Sequence, residues 1–345
     1  MKHLLYGLFT IGFVWLISYL GCKDNGVVVP LKNPREFTWT VDTLIAHPDA
    51  IQTEMMDIYA TSPQNVYVVG ITDWSGVNGN GILWRYDGTT WTIIDQGFRG
   101  ISLSSIVGFG EGDVYAAGGK DTSALILHFD GTSWAQLILP GQGLFTVRGN
   151  SRSDIWTGGW MGSLFHFDGA QWSKINVDSE LSFKDFAVFD RTTYTIAYRL
   201  GNSPPGSIIY YSLSLNGQRW DTLGVYSDSS NVPSNFGLQS LTVIDGELYS
   251  AGTTVQTGAG LFKLKSGRWD EVTGNIRVAK VFGISITNIF GVGTNGTVYH
   301  YDGFDWYQFE QLRPYQFRLW AGWTDGREVF IVENDGYKTV VLHGK

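Results

Sequence analysis

The feature that most constrains this chain is a recurring turn. Six segments close a short apolar strand on a glycine turn and then open another strand with tryptophan. They are YDGTTW ending at Trp91, FDGTSW at Trp134, FDGAQW at Trp172, NGQRW at Trp220, SGRW at Trp269 and YDGFDW at Trp306. The steps between these tryptophans are 43, 38, 48, 49 and 37 residues. Ahead of each lies an apolar-aromatic run ending on small residues: NVYVVG at 65–70, DVYAAGG at 113–119, DIWTGG at 154–159, TTYTIA at 192–197, ELYSAG at 247–252 and NIFGVG at 288–293. Another short apolar strand precedes each run, as in SSIVGF, LFTVRG and AKVFGI. Asp-Gly between alternating runs signals a tight hairpin of the type in which both central residues take positive φ. Each unit therefore reads as four strands, with tryptophan opening the fourth.

A period near 43 residues with strand content throughout corresponds to one four-stranded sheet per repeat, the unit of a β-propeller. Six complete units leave an orphan at each end. LWAGWTDGREVFIVENDGYKTVVLHG (319–344) supplies three strands and stops before any motif tryptophan. FTWTVDTL (37–44) reads as an isolated fourth strand, with Trp39 at the motif position. Joined, they make a seventh blade and remove the free edge that an open sheet would expose. The expected fold is all-β: a seven-bladed β-propeller, its last blade closed by the N-terminal strand. Each motif tryptophan is expected to fill the gap between successive blades. Composition agrees, with 15% aromatic residues, 44 glycines and only 16% charged residues in 345. That is far from the profile of disorder, and rich in strand and turn formers.

Within this pattern, DVYAAGGKDTSALILHFDGTSW (113–134) resembles a kelch repeat, in which a glycine pair ends the second strand and tryptophan opens the fourth. Gly119 and Trp134 stand closer together than in kelch hairpins, and the glycine pair occurs in two blades. The D-G-x-x-W element also resembles the Asp-box of sialidase-like propellers. There the aspartate sits two before the glycine, whereas Asp87, Asp130 and Asp168 sit one before it. Over residues 37–344 the chain resembles secreted bacterial propellers built from such repeats. The resemblance implies blades rather than a particular activity.

The N-terminus carries an address. Lys2 is followed by a run from Leu4 to Gly21 without a formal charge, which stops at Cys22 and turns polar at Lys23. A basic start, an apolar run and a small residue before the cut make a secretory signal. Tyr19-Leu20-Gly21-Cys22 resembles a bacterial lipobox, with Tyr19 where leucine is usual, and Cys22 is the only cysteine in the chain. The expected organisation is a lipoprotein signal peptide (1–21), a lipidated tether (22–36) and a propeller domain (37–345). The alternative for the apolar run is an uncleaved anchor, since eighteen such residues just span a bilayer. Lipidation of Cys22 places the protein in the bacterial cell envelope, on the outer membrane or the cell surface. A single cysteine excludes internal disulfides.

No enzymatic motif emerges. His128, His166 and His300 occupy one repeat position, two before the aspartate of the turn, and His343 holds the matching place in the last blade. Recurrence by blade points to packing, and four separate blades cannot converge on one metal. His47 stands alone outside the pattern. A sialidase-like site needs an arginine cluster, for which Arg148 and Arg318, in or just before inner strands, are the candidates. Metalloprotease, esterase, phosphate-loop and calcium-loop motifs are missing from the sequence. No catalytic residue, cofactor or metal is expected. The formal charge of −8 argues against nucleic acid as a partner.

Function is therefore expected in the non-repeating loops. The enlarged ones are 71–81, 199–207, 224–237 and 253–260, and the aromatics expected to carry binding are Trp74, Trp160, Tyr226 and Phe236. The reading is a monomeric, lipid-anchored extracytoplasmic propeller that binds a protein or glycan without chemistry. The alternative is a polysaccharide hydrolase or lyase on the same scaffold.

Overall fold

The computed structural model describes residues 31–73, 80–202, 205–216, 219–228, 236–252, 260–272, 276–293, 296–312, 318–334 and 338–345. Residues 1–21, expected to be a signal, and Cys22 and Trp74 lie outside these residues. From Lys32 onward the chain is a single compact unit. Among the described residues it holds seven four-stranded antiparallel sheets, and it is a seven-bladed β-propeller. Blade 1 is representative, with an inner strand Thr53–Ser62, a second Asn65–Thr72, a third Asn80–Tyr86 and an outer Trp91–Ile93. Successive inner strands touch one another, and that of blade 7 returns to blade 1.

Closure follows the expected route. Trp39–Leu44 pairs antiparallel with Thr339–Gly344 in a register that sets Trp39 opposite Gly344, and Thr38 and Lys345 exchange backbone hydrogen bonds of 2.9 and 3.0 Å. The folded unit reaches a little further toward the N-terminus than the sequence boundary at residue 37. Pro34–Glu36 forms a short 3-10 turn with Pro34 buried, and Arg35 pairs with Asp302 and Asp305 at the turn of blade 6.

Seven apolar clusters alternate with the seven sheets, each between two neighbouring blades. Each motif tryptophan packs against the cluster between its own blade and the one before, Trp91 with blade 7, Trp220 with blade 3 and Trp39 with blade 6. The recurring glycine has a packing reason too: a Cβ at Gly70, Gly118 or Gly159 would run into the backbone of the adjoining inner strand.

The Asp-Gly turns differ from expectation. Only the glycine takes positive φ, as at Gly88, Gly131, Gly169 and Gly303. The aspartate instead turns its carboxylate onto the amides two and three residues on: Asp87 Oδ1 accepts from Thr89 N at 2.9 Å and Thr90 N at 2.8 Å. The same bonds recur at Asp130, Asp168 and Asp302. With those amides satisfied by its side chain, the aspartate keeps an ordinary backbone, and four residues rather than two join the strands. The amide of Thr90 and the bonds from Thr89 hold the Asp87 carboxyl down at about 2.

Candidate functional site

Inner strands converge on the axis, and most carry a β-bulge there. The register slips between Met55 and Asp57, Leu103 and Ser105, Leu144 and Thr146, and Phe183 and Asp185. A bulge re-aims the residue it skips and the one that follows. The following residues are buried and stitch blade to blade. Asp57 accepts from Ser105 Oγ at 2.7 Å and Ile106 N at 3.2 Å. Ser105 Oγ accepts from Val147 N, while Asp185 accepts from Thr146 Oγ1 and Leu241 N. Arg148 enters this ring with Nη1 2.8 Å from Asp57 and Nε 2.9 Å from Asp185, and Lys280 Nζ reaches Asp57 at 3.1 Å. Two cations thus face two carboxylates drawn from four blades. Burial would raise the Asp57 carboxyl, but the Arg148 and Lys280 charges and the Arg148 and Ser105 bonds outweigh it and hold it well below the usual range. Burial likewise opposes the Arg148 charge, and Asp185 and Asp57 reverse that effect. Arg148 does point inward, but as the centre of a compensated axial network. Arg318 opens the inner strand of blade 7.

The recurring histidines are also accounted for. His128 donates to Asp113 at 2.9 Å and stacks on Tyr115, with ring centroids 4.1 Å apart. His166 donates to Asp154 at 3.0 Å and stacks on Trp156 at 4.3 Å. His343 donates to Glu328 at 2.6 Å and stacks on Phe330 at 4.0 Å. The plan is an acid and an aromatic two residues apart on the second strand, met by a basic ring on the third. Blade 5 fills the same places with Glu247, Tyr249 and Lys263, and blade 1 with Asn65, Tyr67 and Arg85. In blade 6 the neutral Asn288 takes the place of the acid, and His300 is buried with neither ring nitrogen hydrogen-bonded; burial, then the nearby Arg35 charge, takes its pKa down to about 4.

One face of the disc carries the second-to-third and outer-to-inner connections, here called the loop face; the other is the turn face. Trp160, in the second-to-third connection of blade 3, is 47% exposed on the loop face beside exposed Met161. It contacts Phe145 edge-on at 4.6 Å and Tyr198 at 6.4 Å, and Tyr198 continues through Tyr210 to Tyr226. Lys184 lies over Tyr198 and Tyr210, at 5.7 and 5.3 Å, and burial lowers its pKa. Phe145 and Lys184 are residues skipped by bulges, so the irregularity that builds the axis also delivers this row of rings and its cation.

Of the four expected aromatics, Trp160 therefore offers a surface. Tyr226 and Phe236 are 4% and 0% exposed and lie in the cluster between blades 4 and 5, so their rings serve packing. Residues 199–207, expected as a loop, largely extend a hairpin: Thr192–Asn202 pairs with Pro205–Asn216 as far as Asn202 opposite Pro205. Lys184 and the clefts described next carried no sequence signal beyond departure from the repeat.

Two clefts open between blades 3 and 4, one on each side of Trp220. The loop-face cleft, of about 330 Å³, is lined by Val177, Leu181, Arg199, Tyr211 and Leu213. The turn-face cleft is larger, about 720 Å³. The outer strands flanking them differ in length. The outer strand of blade 3 has three residues, Trp172–Lys174, whereas that of blade 4 has nine, Arg219–Ser227. Blade 4 therefore stands beyond the cover of its neighbour.

Solved structures place this architecture among known propellers. YCF48 bound to D1 peptide matches with a TM-score of 0.60 at 15% identity, over 90% of this chain and 97% of that one. A catalytically inactive virginiamycin B lyase from Staphylococcus aureus, with quinupristin, gives 0.58 at 11% identity over 88% and 99%. The WD40 propeller domain of Doa1 gives 0.57 at 15% identity over 90% and 97%. What is shared is the propeller scaffold. These neighbours differ widely in function, and at such identities the likeness concerns fold. No protein-family model and no curated protein matches the sequence.

Proposed function

We propose that this chain is a lipid-anchored, extracytoplasmic propeller of the bacterial cell envelope that holds a protein segment on the loop face of blades 3 and 4 without acting on it chemically. The observation that carries the reading is Trp160, a half-exposed indole at the end of a row of aromatic rings, beside a cation enclosed by tyrosines. Aromatic anchors of this kind dominate protein interfaces. The peptide-bound neighbour supports protein binding as a use of the scaffold. Binding is favoured over hydrolysis because His128, His166 and His343 are each engaged by an acid of their own blade, and Arg148 by two buried carboxylates. Anchoring rests on the sole cysteine standing at the end of the apolar run.

A photo-reactive residue at position 160 tests the reading against one at Phe304, which is 94% exposed on the turn face. A protein partner should crosslink at position 160 only. Trp160→Ala should weaken its retention by a hot-spot amount, about 2 kcal/mol or roughly thirty-fold. Equal crosslinking at both positions, or unchanged retention by the variant, overturns the site. Loss of acyl labelling in Cys22→Ser tests the anchor separately.

A further inference from the structure

The turn-face cleft between blades 3 and 4 holds a conformational anomaly. The inner and second strands of blade 4 are joined by two residues, Asp190 and Arg191, both at positive φ, +47° and +61°. The matching turn of blade 5 is also two residues long, Asp245 and Gly246, at +52° and +69°. Both are the hairpin turn whose second position glycine fills without steric cost. Blade 4 puts an arginine there, in a backbone conformation that L side chains resist. Strain of this kind persists where the side chain it presents is used.

Arg191 lines the cleft of about 720 Å³. Trp156 and Trp220 supply its aromatic wall, and Asn150 and Asp154 stand with Arg191 among its polar groups, while Lys174, also in the lining, donates its Nζ to Pro140 O of blade 2 at 3.4 Å. Asp154 Oδ1 already accepts from His166 and from Trp156 Nε1, which fixes the carboxylate and both rings. Aromatic surface interleaved with amide and carboxylate acceptors suits a sugar ring, apolar on its faces and hydroxylated at its edge. A guanidinium beside a carboxylate selects a ligand that carries acid groups together with hydroxyl donors, whereas an anionic chain without hydroxyls offers Asp154 only repulsion. We propose that this cleft binds an acidic saccharide, with Arg191 taking the sugar carboxylate and Asp154 and Asn150 taking hydroxyls. Blade 4 thereby retains a strained arginine where its neighbour has glycine. The site lies on the opposite face from Trp160 and does not depend on what binds there.

The test titrates the full chain in detergent with tetramers of galacturonate, glucuronate and guluronate, with the methyl ester of each, and with tetraglutamate, followed by calorimetry and tryptophan fluorescence. At least one uronate should bind, its ester at least ten-fold more weakly, and the peptide more weakly still. Arg191→Gly should lose at least ten-fold in affinity while its Tm rises by about 2–4 °C, because the turn relaxes. Trp160→Ala should leave uronate affinity unchanged. No binding by any uronate, equal binding of acid and ester, tetraglutamate binding as tightly as the uronate, or full affinity in Arg191→Gly would each overturn the proposal.

Discussion

Arg148→Met is the sharpest test of how the axis is held. The guanidinium bridges Asp57 of blade 1 and Asp185 of blade 4 and also donates to Ser105 Oγ of blade 2 at 2.7 Å. Both carboxylates are nearly inaccessible, with side chains 5% and 4% exposed. Methionine fills much of the volume but leaves Asp185 without its cation and Asp57 with Lys280 alone. Removing one partner of a buried pair costs about 3–5 kcal/mol, because the remaining charge stays desolvated. In a domain of this size that is a Tm loss on the order of 5–10 °C. Acidification supplies a second reading. The folded pKa of Asp57 lies below its unfolded value of about 3.9. Its contribution is therefore complete above the unfolded value and disappears as pH falls through the folded one. Arg148→Met removes most of that depression, so the gap between wild type and variant should be widest near neutrality and narrow between about pH 5 and pH 2. Urea melts at several pH values measure both quantities. A variant within about 1 kcal/mol of wild type, or a gap independent of pH, would refute the axial account and reopen Arg148 for a role toward a ligand.

Two further outcomes follow from the ring itself. Deleting residues 37–44 strips six register pairs from Thr339–Gly344 and bares that strand, so the melting temperature should fall sharply and light scattering rise; an unchanged melt would mean the blade closes without it. In blade 7, His343→Ala and Glu328→Ala should each destabilise, and a double-mutant cycle should show coupling of about 0.5–3 kcal/mol; additive losses would separate the two residues.

The seven blades were legible because the residues that announce them recur. Tryptophan, glycine and the turn aspartate each solve one packing or hydrogen-bonding problem at every blade, so their spacing reports the architecture directly. The bulges were not legible. In the inner strand of blade 4, Phe183, Lys184 and Asp185 read as simple alternation, and nothing in those letters says that Lys184 is skipped and Asp185 turned to the axis. The turn type was misread for a related reason, since an aspartate satisfying two amides with its side chain has the same letters as one taking positive φ. The segment around 199–207 looked like a loop because of its glycine and prolines, yet cross-strand pairs such as Tyr198 with Tyr210 and Leu200 with Ile208 carry the ladder through most of it.

Several features that the repeat does not explain gather in one quarter of the disc. Trp160 belongs to blade 3, Lys184 to the bulge of blade 4, Arg191 to its strained turn, and both clefts to the seam between these two blades. A propeller requires none of these features. The neighbouring blade closes the Arg191 turn with glycine and the following residues pair as well, which shows that the strain is not demanded by the hairpin. Packing selects the same residues at every blade, whereas a ligand meets particular blades only. Departures that carry a cost and cluster in space are therefore where the two proposed binding sites are placed, and blades 3 and 4 hold such departures on both faces.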